Sequence, residues 1–165
     1  MSTPLAPTLE APAKNGNGHA PITAEQINAL VAAWYLALDQ HDPIENCYAL
    51  LADEGLVMRF PDGDIRDHAS FKKWYDRVIN LFFDENHIVQ SVRPVIDGDE
   101  ATVDVVVGWQ ASWWVAPAAK SKRVSMDATQ RWVVRRSNKN KHGVVIAFYN
   151  AQHEPFNYAP GFARL

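Results

Sequence analysis

A second cysteine and a long apolar run are both missing from this sequence. Cys47 is the only cysteine, so an internal disulfide is excluded, and a lone cysteine is typical of a reducing compartment. No apolar stretch approaches the roughly 18 residues that a membrane-spanning helix needs. The first residues also lack the apolar core of a secretory signal. We therefore expect a cytoplasmic protein with no membrane partner.

A strong charge of one sign and the common cofactor motifs are absent as well. The 165 residues contain 16 Lys or Arg and 19 Asp or Glu, a net charge of -3. The basic residues are dispersed except between positions 135 and 141, which we interpret as a solvated hairpin loop, so nucleic-acid binding is not expected. His41 and Cys47 lack the spacing of zinc ligands, and no glycine-rich phosphate loop is present. Neither a metal nor a cofactor is predicted.

The periodic apolar pattern predicts one domain. Residues 1–21 are rich in Pro, Ala, Asn and Gly and cannot bury enough surface to fold alone, so we expect a disordered tail. Residues 22–156 carry the helical and strand patterns, and residues 157–165 form a C-terminal extension. Apolar residues make up 47% of the chain, which is ordinary for a globular protein with a real core.

Helical signals come first along the chain. Thr23 and Gln26 form a capping box, and an apolar stripe continues to Leu38, which predicts the first helix. Asp42 is the predicted cap of a second helix that runs to about Ala52.

A short strand, a third helix and a strand-rich region follow. Residues 56–60 predict a strand that ends at the turn Pro61-Asp62-Gly63, and Asp67 caps a third helix whose stripe runs to Phe82. From residue 87 the apolar residues change from helical spacing to alternation. Long strands are predicted at 87–96, 101–115, 124–135 and 144–151.

The alternation assigns faces to two of these strands. Every odd position of 101–115 is apolar, and the even positions of 124–134 are apolar except Gln130, so one face of each strand is buried. Trp113 and Trp114 are adjacent and point opposite ways in a regular strand, which can leave one of them on the outer face of the sheet. Exposed aromatic area marks an interface. We therefore expect a homodimer through the sheet face.

Helices grouped before a strand meander predict an α+β architecture. Three N-terminal helices pack on one face of a curved antiparallel sheet, and the elements together form a cone. The space inside such a cone is the natural ligand site, and we expect a small apolar molecule to occupy it.

Four short runs carry a resemblance to a known family. Residues 37–42 (ALDQHD) and 50–53 resemble the first two helices of SnoaL-like proteins in the NTF2-like superfamily, and 86–89 with 97–103 resemble their first long hairpin. The resemblance covers about 22–156 and implies an NTF2-like, cystatin-like cone. The superfamily includes polyketide cyclases, ketosteroid isomerases, epoxide hydrolases, scytalone-type dehydratases, small subunits of ring-hydroxylating dioxygenases and non-catalytic binders.

The resemblance to scytalone-type dehydratases also implies a pair of site residues. Those enzymes use a histidine at the start of the first long strand and an aspartate at the end of the first helix, and His87 and Asp39 match these positions. Their tyrosines match Leu38 and Phe60, which can neither hold a water nor polarise a carbonyl. Dehydration of the same substrate is therefore not expected.

The Asp39–His87 pair has a catalytic and a structural interpretation. A carboxylate bonded to one imidazole nitrogen fixes the tautomer and raises the basicity of the other nitrogen, which can then move a proton next to a carbonyl. In the structural alternative, Asp39 is a helix-end surface residue and His87 is a satisfied core histidine.

Further residues are predicted to line the pocket, although some must be core. Gln130 either orients a substrate oxygen or bonds a neighbouring backbone group. The aromatic candidates are Phe60, Trp74, Trp109, Trp113 and Trp132, and the candidates with a polar end are Tyr48, Tyr75, Tyr149 and Asn150.

These observations predict a cofactor-independent lyase or isomerase that acts on a small, apolar, oxygenated molecule. His87 is the general acid/base and Asp39 orients it. Two alternatives stay open: a non-catalytic carrier or sensor with the same cavity, and an accessory subunit of a ring-hydroxylating dioxygenase.

Overall fold

The computed structural model describes residues 16–60 and 63–151. In chain order its elements are α1 (Ala24–Asp39), α2 (Ile44–Tyr48), β1 (Val57–Phe60), β2 (Gly63–Ile65), α3 (His68–Leu81), β3 (Phe83–Asp97), β4 (Glu100–Trp113), β5 (Lys122–Arg136) and β6 (Val144–Asn150). Most of the predicted tail, the turn residues Pro61 and Asp62, and the C-terminal extension 157–165 lie outside the described residues.

The strands form one mixed sheet in the order β2-β1-β6-β5-β4-β3. The prediction of an antiparallel sheet was wrong at one place, because β1 pairs with β6 in parallel. It was also incomplete, because β2 pairs with β1 as a short hairpin beyond the predicted turn. β1 and β6 are far apart in the sequence and no tight turn connects them, so the two strands can pair in parallel. The β1–β2 hairpin separates α3 from the first two helices.

The long strands β3, β4 and β5 build the curved part of the sheet. Register shifts interrupt β3 between Phe83 and Asn86 and again between Val89 and Ser91, and such bulges bend a strand. The predicted faces of β4 and β5 are confirmed, with most of the alternating residues buried in the core. Val115 is an exception: it is exposed, because β4 ends at Trp113.

Backbone N–H groups are hydrogen-bonded at both ends of α1. The capping box of Thr23 and Gln26 is present, as predicted. At the other end, His41 N–H donates to Leu38 O and Asp42 N–H donates to Ala37 O, the two bonds of a Schellman motif. His41 adopts φ 49° at the position where glycine is usual.

The second helix is shorter than predicted. It covers five residues and its N-cap, Pro43, gives no side-chain cap, so the predicted capping box at Asp42 was wrong. Asp42 instead completes the end of α1. The helix cannot reach Ala52, because Ile146 N–H donates to Leu50 O and Ala52 N–H donates to Ile146 O. These two hydrogen bonds hold residues 50–52 alongside β6. The predicted cap of α3 at Asp67 is confirmed.

The basic run is more than a solvated loop. Lys139 Nζ donates to Leu51 O at 2.9 Å and also bonds the carboxylate of Asp53. Arg136 bonds Asp99 and the carbonyl of Ala20, which ties the described end of the predicted tail to the β3–β4 turn. These side chains therefore fasten chain segments to the sheet. Within the described ranges, no helix is both long enough and apolar enough to span a bilayer.

The cap of α1 gives a first prediction. Thr23→Ala removes the acceptor for the Gln26 N–H and is expected to lower the free energy of unfolding by about 1 kcal/mol. Thr23→Ser keeps the hydroxyl and should stay within about 0.3 kcal/mol of the wild type. Urea denaturation followed by circular dichroism measures both. Equal losses in the two variants would contradict a capping role.

Candidate active site

Asp39 and His87 form a two-point contact between the end of α1 and the start of β3. The distance from Asp39 Oδ1 to His87 Nδ1 is 2.6 Å, and Asp39 Oδ2 accepts the backbone N–H of His87 at 3.0 Å. The side chains are 19% and 10% exposed. The two residues that were paired in the sequence analysis are therefore in direct contact in the structure.

The negative charge of Asp39 destabilises the C-terminal end of α1. Asp39 is the last residue of α1, where the carbonyl end of the helix dipole repels a carboxylate, and the last turn contains no basic residue. The two N–H groups of His87 offset that repulsion. A residue whose charge opposes its own helix and is satisfied only by a histidine is typical of a site rather than of a surface.

The contact also fixes the tautomer of His87. An ionised Asp39 can only accept, so Nδ1 carries the proton and Nε2 keeps its lone pair. No group in the described part of the chain bonds Nε2. The free nitrogen is therefore the one available to a ligand.

Aromatic rings surround His87. Tyr35 stacks on its imidazole with ring centroids 4.9 Å apart and an interplanar angle of 22°. Trp109 lies at 6.4 Å, also nearly parallel, and its ring edge meets Phe82. Such flat, apolar neighbours exclude water and suit a planar apolar ligand.

A buried polar cluster lies behind this stack. Gln130 Oε1 accepts from the Tyr35 hydroxyl at 2.7 Å and from Trp132 Nε1 at 2.9 Å. The Tyr149 hydroxyl interacts with Tyr35 and Gln130 as well. Burial raises the pKa of both tyrosine hydroxyls well above the ordinary value, so they stay neutral donors. Gln130 thus uses its oxygen on side chains of the protein, which neither of its predicted roles foresaw.

The structure brings several predicted aromatic residues into one chain of contacts. Phe60 stacks on Trp74 at 4.7 Å and lies 5.4 Å from the ring of Tyr149, which in turn contacts Trp132 at 5.2 Å. Trp113 is partly buried at the end of β4 and packs against the core.

Three other predicted residues are placed differently. The Tyr48 hydroxyl donates to His68 O at 3.2 Å and the Tyr75 hydroxyl donates to Asp42 O at 2.7 Å, so both bind main chain. Asn150 pairs with Arg131 and Arg59, on the face opposite Tyr149. Asn150 therefore does not point into the cone, since neighbouring strand residues alternate between faces.

Sequence reasoning missed Tyr35 as a site residue and also missed Glu85 and His41. The Glu85 side chain is 2% exposed, its Oε2 accepts Trp109 Nε1 at 3.1 Å, and its Oε1 lies 3.5 Å from His41 Nε2. Burial raises the pKa of this carboxyl, against the opposing effects of His87, Trp109 and His41. Alternation could not have found Glu85, because the register of β3 against β4 shifts between Phe83 and Asn86.

The remaining reactive groups give no second centre of chemistry. Burial raises the pKa of the Cys47 thiol to about 11, so it is inert at neutral pH. Residues 16–60 and 63–151 hold no group of three or more His, Cys, Asp or Glu that could bind a metal. A surface cavity of about 600 Å³ lies between β2 and α3, away from the dyad, and of the predicted pocket residues Trp74 lines it.

Comparison with known proteins shows the fold. No family model and no curated protein matches the sequence. An NTF2-like superfamily protein from Salmonella enterica serovar Typhimurium LT2 superposes with a TM-score of 0.66 at 13% identity, over 83% of this chain and 94% of that chain. A candidate dehydratase of the NTF2-like family from Streptomyces avermitilis gives 0.65 at 16%, over 76% and 92%.

A third similar structure is named as a candidate scytalone dehydratase, from Novosphingobium aromaticivorans. It gives a TM-score of 0.62 at 15% identity, over 76% of this chain and 80% of that chain. Likenesses at these identities establish architecture and not activity. The predicted NTF2-like, cystatin-like fold is confirmed.

The polar cluster gives the second prediction. Tyr35→Phe leaves Gln130 Oε1 with one donor and is expected to lower the free energy of unfolding by about 1 kcal/mol. Gln130→Leu leaves two buried donors without an acceptor and should cost about 2–4 kcal/mol. Chemical denaturation of both variants and of the double variant gives the coupling. Because the residues share one network, the double loss should be smaller than the sum, and strict additivity would contradict the network.

Proposed function

We propose that this protein is a cofactor-independent lyase or isomerase in which His87 is the general acid/base. The observation that carries the proposal is the 2.6 Å contact between His87 Nδ1 and Asp39 Oδ1, which leaves Nε2 free beneath aromatic rings. Two of the similar structures are named as candidate dehydratases, which is consistent with this class.

The proposed chemistry begins with proton transfer to His87. Nε2 accepts a proton from the carbon next to a carbonyl, and the electrons of that C–H bond move toward the carbonyl oxygen. Asp39 stabilises the imidazolium that forms. The imidazolium then returns the proton, either to another carbon, which isomerises the substrate, or to a departing hydroxyl, which leaves as water. Both routes balance without a cofactor.

The surroundings of the dyad restrict the substrate. The rings of Tyr35 and Trp109 lie nearly parallel to the imidazole of His87. By the resemblance, Leu38 and Phe60 match the positions at which scytalone-type enzymes carry tyrosines. No hydroxyl is therefore supplied at those two positions to hold a water or polarise a carbonyl. We propose a small, largely apolar ketone or hydroxyketone, of aromatic, polyketide or terpenoid character, whose carbonyl is activated by its own conjugation.

One observation favours a non-catalytic carrier or sensor as the second candidate. Tyr35, Gln130 and Trp132 satisfy their polar atoms with one another, so an apolar ligand could be enclosed without any polar contact. In that case Asp39 and His87 fasten α1 to β3. A cytoplasmic location and the role of an oxygenase subunit remain predictions.

We also propose that two copies pair through the outer face of the sheet. Ile88 and Val95 are exposed there, opposite the outward-facing Gly108 and Thr102 of β4. Apolar side chains on an otherwise polar sheet face are typical of an interface.

The test of the dimer is its mass in solution. Val95→Lys places a charge in the proposed interface and should shift the protein to a monomer in size-exclusion chromatography with light scattering. Leu36→Lys is a control, because Leu36 is also an exposed apolar residue but lies on α1. A Val95→Lys variant with the mass of the wild-type dimer would exclude this face.

The test of acid/base function is hydrogen exchange at carbon. The protein is incubated in D₂O with a panel of small cyclic, aryl and β-hydroxy ketones, and NMR follows deuterium at the α-carbon and loss of the hydroxyl. We expect His87→Asn to lower the exchange rate by about two to four orders of magnitude, and Asp39→Asn to lower it strongly because the tautomer is no longer fixed.

The control for this test is the variant His142→Asn. His142→Asn changes a histidine in the β5–β6 loop and should exchange the panel at the wild-type rate. Thermal shifts with the same ketones report binding separately. If a ketone raises the melting temperature of the wild type but is neither exchanged nor dehydrated, the protein is a carrier for that compound and the catalytic proposal fails for it.

A further inference from the structure

Two buried polar atoms face each other beside the dyad, and neither has a hydrogen-bond partner among residues 16–60 and 63–151. They are Glu85 Oε1 and His41 Nε2, separated by 3.5 Å. The other carboxyl oxygen of Glu85 is already bonded to Trp109 Nε1. Leaving two such atoms unsatisfied is costly in a protein interior. A proton held between them satisfies both at once.

The backbone holds His41 in this position against its own preference. His41 occupies the C′ position of the Schellman motif with φ 49°, where glycine has no steric penalty and histidine has one. The Schellman motif requires this conformation, so the strain lies in the presence of a histidine where glycine would have none. Here the imidazole is directed at Glu85 and is 27% exposed, so it also reaches solvent.

The backbone beside Glu85 is irregular as well. Asp84 has φ 50°, and the register of β3 against β4 shifts between Phe83 and Asn86. A bulge at this point re-aims the following side chain. It places the Glu85 carboxyl, 2% exposed, against Trp109 of β4 instead of in water.

The ionisable groups that face Glu85 come from three elements. His41 follows α1, His87 lies two residues along β3, and Tyr75 approaches from α3. Trp109 of β4 adds a neutral donor. Burial favours the protonated carboxyl, and the two histidines favour the carboxylate. The protonation of Glu85 is thereby linked to both histidines.

We propose that Glu85 and His41 share one exchangeable proton, and that this pair tunes how readily His87 holds its own proton. Glu85 and His41 are positioning residues, because they act through His87. When the shared proton leaves through the exposed edge of His41, Glu85 remains as a carboxylate and strengthens the hold of His87 on a proton. The proton sharing is a property of the folded chain alone, whereas its effect on catalysis rests on the proposed function.

The sharing is tested by NMR titration of ¹⁵N-labelled full-length protein without any ligand. In the wild type, the ring nitrogens of His41 and the indole N–H of Trp109 should report one common transition. Glu85→Gln should abolish the Trp109 transition and move the His41 transition to lower pH, because the facing carboxylate is removed. Glu54→Gln, an exposed carboxylate elsewhere, should change none of these midpoints.

A second variant keeps the test independent of how well Glu85→Gln folds. His41→Asn suits the left-handed backbone, because asparagine tolerates this conformation better than most residues. It removes the partner of Glu85 and should shift the Trp109 transition while the fold is retained. Unrelated midpoints for Trp109 and His41 in the wild type, or a His41 midpoint unchanged in Glu85→Gln, would overturn the proposal.

Ketone exchange then separates this inference from the proposed function. If the wild type exchanges α-protons and Glu85→Gln displaces the pH profile of the rate toward lower pH, both stand. If exchange occurs with a profile that Glu85→Gln does not move, the tuning of His87 is refuted and the acid/base function stands. If Trp109 and His41 share their transition but no ketone is exchanged, the proton sharing stands and the proposed function does not.

Discussion

The contact between Asp39 and the two N–H groups of His87 joins the helical half of the molecule to the edge of the sheet. α1 carries its last residue into this contact although the helix dipole opposes a carboxylate there. The turn that follows is set by the same geometry, because the Schellman motif directs His41 toward β3. The positions of Asp39, His87, His41 and Glu85 are therefore consequences of where α1 ends. Moving that end by one residue would rotate the carboxylate by about 100° away from His87.

The buried polar cluster of Tyr35, Gln130 and Trp132 holds the aromatic ring that packs on His87. Tyr35 stacks on His87 and donates its hydroxyl to Gln130, which also accepts from Trp132. A buried network of this kind specifies one arrangement when every member is satisfied, and it disfavours alternatives that leave a donor unpaired. The helix α1 therefore contributes both the orienting carboxylate and the ring that covers the imidazole.

Local signals predicted the elements whose ends are set by neighbouring residues. Caps at Thr23 and Asp67 and the alternation of β4 and β5 needed no information from distant parts of the chain, and the structure confirms them. The parallel pairing of β1 with β6 depends on a contact between distant segments, so no local pattern could predict it. For the same reason α2 was predicted too long, because its end is decided by the bonds to Ile146.

The site shows the same division between local pattern and long-range packing. Asp39 and His87 were paired through the resemblance to scytalone-type dehydratases, which places them at the end of the first helix and the start of the first long strand. The burial of Glu85 could not be predicted, since it requires the left-handed Asp84 and a register shift that alternation does not encode. Asn150 was assigned to the cone because strand ends approach its mouth, but the pairing register puts it on the outer face.

The site has four ionisable groups that form two carboxyl–histidine pairs, Asp39 with His87 and Glu85 with His41. The Glu85 carboxyl is buried and the Asp39 carboxyl is partly buried, and each lies against one histidine. A substrate that develops negative charge on oxygen while His87 becomes an imidazolium would add one charge of each sign and leave the net charge of the site unchanged. In the proposed mechanism, proton transfer to His87 therefore leaves no net charge uncompensated at this partly buried site, where an uncompensated charge would be costly.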